Sequence, residues 1–112
     1  MSHRMLQINE LLRTELSNLI ARELPLENGL ITITYVKCGA DLKHASIGIS
    51  VLPEHLSGTA LRKLSQHNTG FSQTLKKKLR FKFIPKFHWE IDTLERNAIE
   101  IDKAVADAKN SD

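Results

Sequence analysis

The chain has 112 residues, 41% of them hydrophobic and 26% charged, with a formal net charge of +3. That size and composition suit one globular domain with a single modest core, and they exclude a collagenous, disordered or two-domain chain. No apolar run approaches a membrane span and the start, Met1-Ser2-His3-Arg4, lacks a signal-peptide core. The single cysteine, Cys38, rules out an internal disulfide, so a reducing, cytoplasmic location is expected.

Met5, Ile8, Leu12, Leu16, Leu19 and Ile20 recur at spacings of three and four, which predicts an amphipathic helix over 4–23, ended by Pro25. Asn28-Gly29 marks a turn. Residues 30–37, rich in Ile, Thr, Tyr and Val, suit a strand with Ile31, Ile33 and Tyr35 on one face. Residues 44–51 alternate, Ala45, Ile47, Ile49 and Val51 against His44, Ser46, Gly48 and Ser50. The short link Gly39-Ala40-Asp41-Leu42 predicts a hairpin, with the Asp41 side chain bonding nearby backbone.

After Pro53 a helical pattern runs through Leu61, Leu64, Phe71, Leu75 and Leu79, interrupted by Gln66-His67-Asn68-Thr69-Gly70. We read two helical pieces meeting at a kink, with Asn68 or Thr69 able to cap the second; a plain helix–turn–helix is the alternative. Residues 85–91 form a third strand with Phe87, Trp89 and Ile91 opposite Lys86, His88 and Glu90. Residues 94–108 are a last amphipathic helix carrying Leu94, Ala98, Ile101 and Val105. The order predicts a two-layer α+β domain, three strands packed against helices, with its core over about 4–105 and a polar tail over 106–112.

Charge is unevenly spread. Residues 53–91 hold eight Lys or Arg against two Glu, whereas residues 92–112 hold three basic against six acidic groups. Within 76–86, Lys76, Lys77, Lys78, Arg80, Lys82 and Lys86 stand with no acid among them. One or two such cations would complement the helix dipole; six point to a phosphate backbone. The kink at Asn68, Thr69 and Gly70 adds a place where a backbone could approach closely, although packing against the first helix could equally demand a small residue there.

Enzymatic patterns are missing. The glycines at 29, 39, 48, 58 and 70 form no phosphate loop, and the histidines at 3, 44, 55, 67 and 88 form no metal-binding pair. No nucleophile elbow occurs, so no catalytic residue, metal or cofactor is expected. Cys38 reads as a small strand residue. Two other functions stay open: a general single-stranded nucleic-acid binder, or a small phosphoester or acyl-phosphate hydrolase with Arg80 holding the anion. The first would need exposed aromatics, and of the six present Phe71, Phe87 and Trp89 look buried.

The stretch from Leu30-Ile31-Thr32-Ile33-Thr34 through Asp41-Leu42-Lys43-His44-Ala45 to Ser46-Ile47-Gly48-Ile49-Ser50-Val51 resembles the β-hairpin of the ribosome-binding factor A family, with its D-L-x-x-A turn. Gly70-Phe71, Leu75, Leu79-Arg80 and Pro85-x-Phe87-x-Trp89 resemble that family's later run; Asp92 and Arg22-Glu23 also fit. The resemblance implies a type-II KH-like fold in which an A-x-G kink, here Asn68-Thr69-Gly70, replaces the usual G-x-x-G loop. It further implies a non-enzymatic, monomeric factor that binds the small ribosomal subunit and its 16S rRNA near the 5′ end and neck, assisting late maturation, rRNA processing and cold adaptation, with no membrane and no small-molecule substrate. The chain departs from the family at four places. Asn68 replaces the kink Ala, and Pro25-Leu26-Glu27-Asn28 replaces a D-P-R segment. The part after Asp92 is one residue shorter, with Thr93 where Ser is common, and the tail is short.

Overall fold

A computed structural model describes residues 3–93; the predicted helix over 94–108 and the tail lie outside the described residues. Helix α1 (His3–Glu23) is followed by strands β1 (Leu30–Cys38) and β2 (His44–Leu52), helices α2 (Ser57–Gln66) and α3 (Asn68–Leu79), and strand β3 (Lys86–Ile91). The sheet order is β1-β2-β3, with β1 antiparallel and β3 parallel to β2. Parallel pairing needs a long crossover, which the helix pair α2–α3 supplies.

The α1 stripe behaves as its spacing predicts. Leu12, Leu16, Leu19 and Ile20 are buried, with Met5 and Ile8 partly covered beside them. Asn9 lies on the same stripe, where a buried amide needs a partner. Its Oδ1 accepts the backbone N–H of Cys38 at 3.0 Å, tying α1 to strand β1 at the sheet edge. Asp41 Oδ1 accepts the Lys43 N–H at 2.9 Å, the turn role its side chain suggested.

Strand β1 departs from the simple alternation. Its register against β2 slips between Ile33 and Tyr35, so Thr34 is an extra residue and the strand carries a β-bulge. A bulge reverses the facing of everything beyond it. Ile33, Val36 and Cys38 are therefore the buried residues, and Tyr35 passes to the other face, correcting the expectation that it joins Ile31 and Ile33. There its ring fills the space above Gly48, and a Cβ on Gly48 would collide with it.

The helices cover one face of the sheet. Ala45, Ile47, Ile49 and Val51 of β2 and Phe87 of β3 are buried with Ala60, Leu64, Phe71 and Leu75 of the helix pair. The other face carries His44, Ser46, Gly48 and Ser50, with Lys86, His88 and Glu90 alongside. Pro85, which has no N–H to give a ladder, immediately precedes β3, and the first strand N–H, from Lys86, reaches the Lys43 carbonyl at 2.9 Å.

Candidate nucleic-acid interface

The bend between α2 and α3 falls at His67, one residue before the predicted Asn68-Thr69-Gly70 segment. His67 leaves helical geometry at φ −95°, ψ 1°, while its N–H still reaches the carbonyls of Lys63 and Leu64 and its own carbonyl accepts from Phe71. Its Nδ1–H donates to the Lys63 carbonyl at 2.8 Å, so the imidazole braces the end of α2. The chain thus turns with its backbone bonds largely kept.

Neither Asn68 nor Thr69 caps α3: the helix begins at Asn68, and the residue at its N-cap position is His67, which makes no side-chain cap bond. Asn68 instead faces the sheet. Its Oδ1 accepts the indole N–H of Trp89 at 2.5 Å and its Nδ2 donates to the Phe87 carbonyl at 3.3 Å. A partly buried indole N–H wants such an acceptor, and that need outweighs the gain from a cap. Phe71 completes the anchor, its ring meeting Trp89 edge-on at 6.3 Å and His67 at 5.8 Å. Asn68 therefore ties the start of α3 to strand β3.

Thr69 and Gly70 lie in the first turn of α3 and are exposed. Two turns further on, seven residues from each, stand Lys76 and Lys77, also exposed, so the four share the helix's outer side. Arg80 ends the helix in the left-handed region at φ 54°, its N–H returning to the Lys76 carbonyl at 3.1 Å, with its side chain in solvent. Thr69, Gly70, Lys76 and Lys77 thus line one side of α3, which carries no acid, and the exposed Arg80 follows at its end.

The other three predicted cations go elsewhere. Lys78 turns toward α1, where its Nζ meets Glu15 at 2.7 Å. Lys82 lies 5.6 Å above the ring of Phe83, itself 74% exposed. Lys86 projects from the open face of the sheet, opposite Phe87, and so on the side away from the helices. The sequence cluster of six thus resolves into an α3 strip of three, a cation paired across helices, a loop cation and a sheet cation. Glu15 gives no signal in the sequence, because its partner lies 63 positions later (78 − 15). Trp89, whose alternation suggests core, is only partly covered and serves as the kink's hydrogen-bond donor.

Gly70 carries a test. A Cβ there would meet nothing within 4 Å, so packing against α1 does not demand glycine, and its φ is not positive. Gly70→Ala should stabilise the fold by up to about 1 kcal/mol through helix propensity, read as a raised urea midpoint. If a phosphate chain comes close at this turn, the same variant will bind RNA more weakly. Unchanged affinity would remove Gly70 from the interface.

Among the described residues no group of three or more His, Cys, Asp or Glu side chains could hold a metal ion, and no helix is long and apolar enough to cross a membrane. Burial pushes the Cys38 thiol above its ordinary value, which disfavours the thiolate a nucleophile requires.

Comparison with known proteins agrees with this architecture. Residues 4–105 match the family described as Ribosome-binding factor A. Ribosome-binding factor A of Hyphomonas neptunium is 32% identical over 116 residues, covering 96% of this chain and 85% of the relative. That of Polynucleobacter necessarius is 32% identical over 114 residues, covering 98% and 90%. The crystal structure of ribosome-binding factor A from Thermus thermophilus superposes with a TM-score of 0.69 at 22% identity, over 78% of this chain and 93% of that one. A homology model of the Thermus thermophilus protein, fitted into a cryo-EM map of its complex with the 30S subunit, gives 0.65 at 22%, over 81% and 93%. At such identity the solved structures speak to the fold, a KH-like α+β domain. With a family match from residue 4 to residue 105 and relatives 32% identical along nearly all of its length, the chain belongs to the ribosome-binding factor A family.

Proposed function

We propose that this protein is an assembly factor that binds the small ribosomal subunit through its 16S rRNA, with the outer side of α3 against the phosphate backbone. The observation that carries the RNA contact is the exposed strip Thr69, Gly70, Lys76, Lys77 and Arg80 beside the bend. Backbone contacts of this kind fix position and orientation without reading sequence. The ribosome enters through family membership and through the Thermus thermophilus relative, which has been fitted into a map of its 30S complex.

Acting late in maturation, the protein would favour one rRNA conformation and then leave. A binder can bias maturation only by holding two subunit states with different affinity. Support for rRNA processing and for growth in the cold, a cytoplasmic location and a monomeric free state belong to the same reading. No catalytic step is assigned. The five glycines offer the hydrolase alternative no phosphate loop, and Phe71 and Phe87, buried in the core, are not available for general single-strand stacking.

The test is sedimentation through sucrose gradients of the tagged protein with purified subunits. Co-migration with small subunits, displaced far more readily by 16S rRNA than by single-stranded DNA, is the expected result. Equal competition by both nucleic acids, or equal binding to large subunits, would contradict it.

A further inference from the structure

The α3 strip leaves the open face of the sheet unengaged. Residues on that face form rows set by the strand register. Nearest the hairpin come His44 and Lys86, then Lys37, Ser46 and His88, then Tyr35, Gly48 and Glu90. His44 Nδ1 and His88 Nε2 are 2.8 Å apart, and the two exposed rings stack with centroids separated by 5.1 Å. The Tyr35 ring lies across Gly48, which has no side chain to lift it, and Lys37 Nζ sits 5.0 Å from that ring's centroid.

Three rings are therefore held on a stiff pleated surface with two cations among them. Unpaired bases are recognised by this combination, stacking on ring faces while flexible ammonium groups take the flanking phosphates. The charge agrees. The first two rows hold Lys37, Lys86 and the two histidines without an acid; Glu90 stands in the third row, where burial first, and then Glu90 and Asp92, hold the Tyr35 phenol above its ordinary value, and Asp41 in the hairpin turn accepts from the Lys43 N–H. The exposed apolar pair of this face, Leu30 and Leu52, lies at its opposite end, so the ring-bearing half is polar and cationic, which suits RNA better than an apolar protein surface.

We propose that the hairpin end of the open sheet face is a second RNA contact, in which His44, His88 and Tyr35 hold one or two unpaired bases and Lys37 and Lys86 hold the adjoining phosphates. The proposal rests on the RNA-binding reading of the α3 strip and extends it. The strip would grip backbone on one side of the domain while the sheet holds single-stranded bases on the other. Lys86, separated from the helical cations by the fold, gains a role here.

The experiment measures binding of labelled oligoadenylate and of a duplex RNA of the same length by the full chain. H44A/H88A should weaken oligoadenylate binding about five- to thirtyfold, the effect of losing one base stack, and leave duplex binding unchanged. H44F/H88F, which keeps the rings and loses the imidazole hydrogen bond, should retain affinity for oligoadenylate. Circular dichroism and thermal unfolding check that each variant stays folded; both histidines are exposed. Unchanged oligoadenylate binding by H44A/H88A, or an equal loss on both RNAs, overturns the proposal and leaves the α3 strip standing. Unchanged binding to both RNAs with weakened binding to whole subunits would also overturn it, and would assign the face to a ribosomal protein. A wild-type chain that binds neither RNA sinks the underlying RNA reading itself.

Discussion

Phe71→Ala should cost the domain about 3–5 kcal/mol, a large part of the roughly 5–15 kcal/mol typical of a small fold. Phe71 is fully buried and touches both sides of the bend: His67 at the end of α2 and Trp89 on β3. Removing its ring deletes apolar burial and leaves a cavity between helix pair and sheet, where neighbours held by Asn68 collapse poorly. Urea unfolding should show a midpoint shift at unchanged slope, and the melting temperature should fall by on the order of 15 °C. Phe83→Ala is the contrast. That ring is 74% exposed, and its loss should stay within about 0.5 kcal/mol. A Phe71→Ala loss below about 1 kcal/mol would mean that the bend is not built on this ring.

The second large effect concerns binding. Lys76→Ala, Lys77→Ala and Arg80→Ala together should weaken binding to small subunits on the order of a hundredfold near physiological salt, because each cation that meets a phosphate releases condensed counterions. The slope of log K against log salt should fall by about one unit for each phosphate no longer neutralised. Stability should barely change, since all three side chains are exposed. Lys78→Ala makes the internal comparison. Its ammonium is engaged with Glu15, so its removal should disturb the α1–α3 packing slightly, by well under about 1 kcal/mol for a surface pair, and affect the salt slope little. Wild-type binding by a folded triple variant would place the rRNA on another surface.

Local pattern carried much of this fold. The α1 stripe, the β2 alternation and the apolar phase of Leu61, Leu64, Phe71 and Leu75 each report on a neighbourhood of a few residues, and each matches an observed element. What the sequence concealed is set by distant partners. The bulge at Thr34 arises between two strands, and nothing in Ile33-Thr34-Tyr35 announces it. The bend falls within the predicted 66–70 interruption, at His67, but the bond from Asn68 beside it to an indole 21 residues away could not be read from the sequence. The candidate site was legible as a run of charge and obscure as a surface. Lys78 and Lys86 are neighbours of the α3 strip along the chain, but a helix turn sends one to Glu15 and a strand pleat sends the other to the open sheet.

The hydrogen bond between Asn68 and Trp89 has an optical consequence. Trp89 is the only tryptophan in the chain, so all indole emission comes from a group bonded to the hinge between the two helices. Straightening or tightening of that joint when a ligand settles on α3 would alter the polarity around one fluorophore. The protein therefore carries its own reporter of hinge geometry, readable without a label and in the same cuvette as a titration.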